Sequence, residues 1–219
     1  MSRAFTCCGV LFVALSVFFL SCTTGVEPSP HPGIIRVTLK ASETDTALVI
    51  QNDTTRFSRW DSFNLIVFGG RVYRGDNYSQ IYVNRSIQRI GSDTVNILAR
   101  EWLNGVPITT ADTSVITPTN SRYRKYAVFE SLVPQGNYEL LEFGLLAYEV
   151  ETFIPKVYSN TVQLPPGTSP QVPFPTPFSI QEDRVTQIDI EIFPFKSLHR
   201  FQDSFLFDRK MQIVNIQVL

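Results

Sequence analysis

The side chains able to start covalent or metal chemistry are few in this chain, and their spacing limits what they can do. The three cysteines are Cys7, Cys8 and Cys22, and the two histidines are His31 and His199. Residues 23–219 contain no cysteine, and His199 is the one histidine beyond the Pro-rich segment that holds His31. Zinc and copper sites are built from convergent His and Cys ligands, so no such site is expected in the body of the chain. A Ser-His-Asp triad would have to use His199, and no Gly-x-Ser-x-Gly elbow accompanies it. Glycoside hydrolysis needs two facing carboxylates. Glu139, Glu142, Glu149 and Glu151 lie close in sequence. On one strand, residues 139 and 142 point to opposite faces, whereas 149 and 151 share one and form the only candidate pair. The simpler reading of that pair is a solvated strand end. No closely spaced run of oxygen ligands suits calcium, and Asp203 and Asp208 are loosely spaced. Phe68-Gly69-Gly70-Arg71 lacks the Lys-Ser/Thr of a phosphate loop. No cofactor and no catalytic residue is expected.

The aromatic residues offer a different chemistry. Trp60, Tyr73, Tyr78, Tyr82 and Trp102 occur among Asn- and Arg-rich segments. Sugars stack on aromatic faces while polar neighbours bond their hydroxyls, so these five are candidate ligand contacts. Aromatics of this kind also serve as strand faces and loop anchors. Asp45-Thr46-Ala47, Asp53-Thr54-Thr55 and Asp93-Thr94-Val95 resemble the Asp-Ser/Thr-apolar acceptor for O-glycosylation of some envelope bacteria. The same triplets read equally as a turn Asp before a β-branched strand start.

Cys22 is explained by what precedes it. Arg3 is followed by an apolar run from Ala4 to Leu20, which leads into a polar, Pro-rich stretch. The run falls short of the roughly 20 residues of a stable transmembrane helix and reads as a cleaved signal peptide over residues 1–21. Phe19-Leu20-Ser21-Cys22 resembles the lipobox of bacterial lipoproteins, with Phe19 where that motif usually has Leu. The resemblance implies that Cys22 is diacylated and heads the mature chain. A lone Cys there would otherwise be an exposed thiol. Residues 22–33, with Pro28, Pro30 and Pro32, read as a flexible tether.

Residues 34–219 are enough for one domain with its own core. The formal net charge of −1 gives no reason to expect nucleic acid or electrostatic membrane binding. Seventeen Phe and eight Tyr favour strands, and fourteen prolines oppose long helices. Alternation predicts strands over 34–40, with Ile35, Val37 and Leu39 on one face, and over 185–193, with Thr186, Ile188, Ile190 and Ile192 on one face. Further strands are expected at 46–51, 126–132, 138–150, 156–164 and 211–218. Phe63 to Phe68 reads as a central strand covered on both faces, and Gly69-Gly70 as a bulge or turn after it. The segment 94–100 is either a strand or a short helix, ending in an Asn104-Gly105 turn. The polar segment 101–125 reads as a long loop. Pro134-Gln135-Gly136-Asn137 is a turn, and prolines make 174–180 an edge strand. The expected fold is all-β, a single antiparallel β-sandwich.

Three segments carry a resemblance. They are Thr94 to Ile108 with its Asn-Gly ending, Leu132 to Glu142 with Pro134-x-Gly136-x-Tyr138, and Ser159 to the C-terminus with Leu164-Pro165-Pro166-Gly167 and Ser197. Together they resemble a family of bacterial lipoproteins of unassigned function, for which a transthyretin-like (prealbumin-like) β-sandwich is expected. Members tend to have Phe-Asp-x-x-x-Ser before the final strand. This chain has Phe193-Pro194-Phe195-Lys196-Ser197, which puts any role of that acid in doubt. The resemblance implies a fold and a cell-envelope location, not a reaction.

The expected function is therefore non-enzymatic: a binding or structural module, lipid-anchored to a membrane of the cell envelope, the outer membrane before the inner. Its partner would be an envelope protein. The alternatives are a glycan-binding module and, more weakly, an acidic-residue glycoside hydrolase.

Overall fold

The computed structural model describes residues 30–50, 53–56, 62–81, 94–106, 108, 120–152, 158–160, 162–201 and 204–219. The expected signal peptide, Cys22, Trp60 and Tyr82 lie outside these residues.

All regular structure among the described residues is β. In chain order the strands are Gly33–Ala41 (β1), Ala47–Ile50 (β2), Asp53–Arg56 (β3), Ser62–Arg74 (β4), Asn77–Gln80 (β5), Thr94–Asn96 (β6), Arg100–Trp102 (β7), Ser121–Tyr123 (β8), Tyr126–Val133 (β9), Gly136–Thr152 (β10), Tyr158–Asn160 (β11), Val162–Gln163 (β12), Gln171–Ile180 (β13), Val185–Ile192 (β14), Leu198–Phe201 (β15), Ser204–Phe207 (β16) and Met211–Val218 (β17). One sheet runs β17-β14-β1-β9. A second runs β11-β10-β4-β5, with β13 beside β10 and β6 beside β4. A small sheet β12-β16-β15 and two hairpins, β2-β3 and β7-β8, complete the set.

The two large sheets face each other across one apolar core, where Phe129 of β9 meets Phe143 of β10 edge-on at 5.5 Å between ring centroids. Ile35, Val37 and Leu39 are fully buried, as their alternation predicts, and Ile188, Ile190 and Ile192 lie beside them on the same face of the sheet, on β14. Each fully buried Ile, Leu or Phe contributes roughly 1.5–3 kcal/mol of transfer free energy. β4 is central, but only one of its faces is buried: Phe63, Leu65 and Val67 are in the core, while Asn64, Ile66 and Phe68 are half-buried. Gly69, at φ 58°, is the expected bulge. There two β4 residues oppose one on β10, since Phe68 pairs with Gly144 but Arg71 with Glu142. The bulge keeps Val72 in the core with Val67 and turns Arg71 and Tyr73 to the outer face.

The fold departs from the sequence reading in other places too. The sheets are not purely antiparallel, because β1 runs parallel to β14 and β12 parallel to β16. Nothing local in an alternating strand encodes the direction of its partner. The segment 94–100 is a strand followed by a turn, and 101–125 is not all loop, since Arg100–Trp102 pairs with Ser121–Tyr123. Tyr158–Asn160 and Val162–Gln163 serve different sheets rather than forming one strand over 156–164. Finally, the turn at Pro134-Gln135-Gly136 joins two sheets rather than two paired strands. It carries the chain from β9 in one sheet to β10 in the other.

That crossing is built as a tyrosine corner. The Tyr138 hydroxyl donates to the Pro134 carbonyl four residues upstream at 2.8 Å, the geometry used where strands change sheets in β-sandwiches. Arg74 donates to the Gln135 carbonyl at 2.6 Å and lies over the Tyr138 ring at 5.0 Å. Gly136 sits at φ 141°, and a Cβ there would collide with the Arg74 guanidinium. Gly136→Val is therefore expected to cost about 1–3 kcal/mol and Tyr138→Phe about 1 kcal/mol. Gln135→Ala, which keeps the acceptor carbonyl, should be neutral. Thermal melting of the three variants checks the order.

Candidate functional site

Beside the Gly69 bulge, the β4-β5 turn brings together two of the five sequence-predicted contacts, Tyr73 and Tyr78. Tyr73 pairs across the ladder with Tyr78, and Arg71 with Gln80. The Tyr73 and Tyr78 rings lie 5.7 Å apart at 45°. The Arg71 guanidinium sits 4.9 Å from the Tyr78 ring centroid. On the other side of β4, Glu142 of β10 is opposite Arg71. Its Oε1 accepts from the Tyr73 hydroxyl at 3.0 Å and lies 3.9 Å from Arg71 Nη1. The Tyr73 oxygen first, against an opposing desolvation, and then Tyr78 and Glu142 push the Arg71 pKa further up, so the cation is permanent. Tyr78 is 55 % exposed. The result is an outward platform of two aromatic rings, a guanidinium and a carboxylate. It presents ring faces, donors and an acceptor side by side on an open surface. Trp102 belongs to another sheet, the β7-β8 hairpin, where it is half-buried. Sequence reading gave no role to Arg71 or to Glu142 beside these tyrosines, because only the ladder register brings them there.

Several other candidate groups among the described residues make structural contacts. Glu139 accepts from the Gly75 amide at 2.8 Å and Glu142 belongs to the platform, so these two do not face each other as an acid pair. Glu149 and Glu151 pair in register with Asn64 and Ser62 on β4. His199 lies 2.6 Å from Asp208 with both side chains substantially exposed, and among the described residues no hydroxyl joins them as a nucleophile. His31, Glu182 and Asp183 bring three ligand atoms within 4.8 Å, all exposed. Glu182 already accepts the His31 amide at 3.1 Å, an ordinary turn closure at the start of β1.

Two buried acids do structural work that sequence reading missed. Asp45, first of an Asp-Thr-Ala triplet, is 2 % exposed. Its Oδ2 accepts the amides of Phe195 and Lys196 at 2.8 and 3.2 Å. The adjoining Ser197 donates its hydroxyl to the Phe193 carbonyl at 2.6 Å and accepts the Lys210 amide at 2.8 Å. Asp45, in the turn after β1, thus ties the Phe193–Ser197 turn to that end of the sheet. Asp189, on the outer face of β14, receives Thr38 at 2.7 Å, Gln187 at 2.9 Å, Asn215 at 3.2 Å and the Lys125 ammonium at 2.9 Å.

No family model matches the chain, and neither a curated protein nor a solved structure matches it significantly. Among the described residues no helix is long and apolar enough to cross a membrane.

Burial pushes the Asp189 carboxyl up, but the hydrogen bonds from Lys125, Thr38 and Asn215 outweigh it and hold it below the ordinary carboxylate value. A depressed folded pKa means that Asp189 stabilises the fold above about pH 3.9, its unfolded value, and that this share is lost as pH falls through the lower folded value. Asp189→Asn should flatten the loss of melting temperature below about pH 4. Lys125→Met, which removes one donor from the buried carboxylate, should cost roughly 1–2 kcal/mol at pH 7. Melting curves from pH 2 to 7 decide it.

Proposed function

We propose that this chain is a lipid-anchored module of the cell envelope that binds a partner rather than transforming a substrate. Its membrane attachment in this reading is Cys22, acylated after removal of residues 1–21. The outer membrane is its place before the inner. The fold in this reading is a transthyretin-like sandwich. The strand orders β9-β1-β14-β17 and β5-β4-β10-β13 support it, each sheet being four strands wide along that path. The parallel β1-β14 pair inside an otherwise antiparallel sheet supports it too, as does the corner at Tyr138.

The observation that carries the binding reading is the exposed platform of Arg71, Tyr73, Tyr78 and Glu142. Its polar atoms are held by one another, at 3.0 Å for Tyr73 to Glu142 and 3.9 Å for Arg71 to Glu142, in a pattern that orients them without burying them. A nucleophile or general base is not required by any contact in it. The same face favours a glycan as the second reading, in which Tyr78 stacks on a sugar ring and Arg71 and Glu142 bond its hydroxyls.

Two experiments test these readings separately. Cys22→Ala should leave protein that is unprocessed or released from membranes, and membrane-bound Cys22→Ala protein of processed size would refute the anchor. Pull-down of the intact protein from its envelope should recover a specific protein or glycan. Tyr78→Ala, an exposed change, should weaken that capture at least about tenfold, the loss of one stacked ring, while melting stays unchanged. Capture equal to wild type would remove the platform from the binding site.

A further inference from the structure

We infer that the tether end of the β9-β1-β14-β17 sheet carries a lipid-contact strip, by which the anchored domain leans its outer face on the bilayer surface. The inference rests on the reading of Cys22 as the acylated anchor. Leu132 of β9, Ile34 of β1, Val185 of β14 and Leu219, directly after β17, stand side by side at that end. Ile34 pairs with Leu132 on one side and with Val185 on the other. Val185 and Leu219 exchange both their amide-carbonyl bonds, at 2.8 and 3.4 Å. The adjoining Ile35, Val133 and Thr186 are buried on the inner face, so alternation turns all four to the outer face. With strands about 4.8 Å apart, the row is about 14 Å long.

The strip differs from the face it belongs to. The next outward row, in the same register, is Glu130, Arg36, Gln187 and Gln217, with Arg36 donating to Glu130 at 2.6 Å. Leu132 is 66 % exposed and Leu219 51 %, and Ile34 and Val185 between them are half-buried. Single exposed apolar side chains are ordinary. Four of them joined across the width of an otherwise polar face mark a surface that is covered in use.

Position selects a lipid surface as the occupant. Ile34 lies twelve residues after Cys22. A segment of that length spans at most about 43 Å when extended and averages about 20 Å when flexible. An acyl group on Cys22 therefore holds this end of the sheet close to the bilayer. β1 begins at the strip and runs away from it, so the contact of Glu43 with Arg100, just past the other end of β1, stands at the far end. Around the strip the exposed His31, Glu182, Asp183 and Arg184 carry charges of both signs and select neither an acidic nor a basic partner. Apolar contact at the boundary of headgroups and acyl chains needs no such selection, and its strength scales with the apolar area buried.

Loss of Cys7 and Cys8 with the signal and acylation of Cys22 leave an introduced cysteine as the single free thiol of the mature chain. The test uses the full acylated protein in protein-free phosphatidylcholine vesicles. A nitrobenzoxadiazole label is placed on Leu132→Cys or on Gln212→Cys, and quenching by lipid with a nitroxide at the headgroup boundary is measured. Gln212 pairs with Glu191, on the same face at the far end of the sheet. The label at position 132 should be quenched at least about threefold more than that at 212, in low and high salt alike, and Leu219→Asp should lower the quenching at 132 at least about twofold with melting unchanged. Protein that does not stay on the vesicles overturns the anchor and this inference with it. Anchored protein overturns the lipid strip alone if its label at 132 is quenched no more than that at 212, loses its quenching in high salt or is indifferent to Leu219→Asp.

Discussion

The parallel ladder between β1 and β14 is the constraint on which the rest of the molecule depends. It joins Ile34–Ala41 to Val185–Ile192 in continuous register, across about 150 residues of intervening chain. Both strands are central in their sheet, so each inward side chain is covered by its neighbours and by the opposite sheet. A slip of one residue would send Ile35, Val37 and Leu39 to solvent and bring Arg36, Thr38 and Lys40 into the core. The outer face fixes the same register by different means, because Thr38 lies opposite Asp189 and donates to it at 2.7 Å. Apolar burial and a charged hydrogen bond thus specify one alignment from the two sides of one sheet. So distant a pairing can close only after the chain between has been gathered, which makes slow folding the expectation.

The short motifs of the sequence become intelligible as fittings for that frame. Pro134-x-Gly136-x-Tyr138 is the corner by which the chain leaves the first sheet, its tyrosine bonded back to Pro134. Ser197 closes the turn after β14 through Phe193 and Lys210, and Asp45 holds the same turn from the end of β1. Their chemistry is the satisfaction of backbone donors and acceptors where strands end, where an unmet group costs about 1–3 kcal/mol. Motifs of this type report a fold and are silent about a ligand.

Much of the strand pattern was legible because alternation is local. Ile35 to Leu39 and Thr186 to Ile192 could be read from period two alone, and Pro173 and Pro175 marked an edge strand through the donors they lack. What was hidden is pairing. The direction of β14 against β1, the pairing of Arg100–Trp102 with Ser121–Tyr123, and the reach of Asp45 to Phe195 all depend on residues far apart in the chain. The candidate site shows the same division. Tyr73 and Tyr78 stand five residues apart around a tight turn, and their neighbourhood could be read. In the sequence Arg71 carries no signal and Glu142 is one of four clustered acids, because the ladder that unites them joins positions 71 and 142.

The platform itself turns on a single residue. From Val67 onward, strict alternation would place residues 69, 71 and 73 in the core and leave Val72 outside. That arrangement would bury a guanidinium and expose a valine, an arrangement a folded chain does not tolerate without a partner for the charge. Gly69, at φ 58°, absorbs one residue and reverses the parity, and its lack of a Cβ makes that conformation cheap. Beyond the bulge Val72 returns to the core, and Arg71 and Tyr73 stand on the outer face beside Tyr78 and opposite Glu142. The core and the exposed face are thus specified by the same local event. A sequence that needed only the core could have continued β4 without a bulge by shifting one apolar residue. This one keeps a glycine that the sheet alone does not require, and what the glycine adds is the outward set of two tyrosines and an arginine.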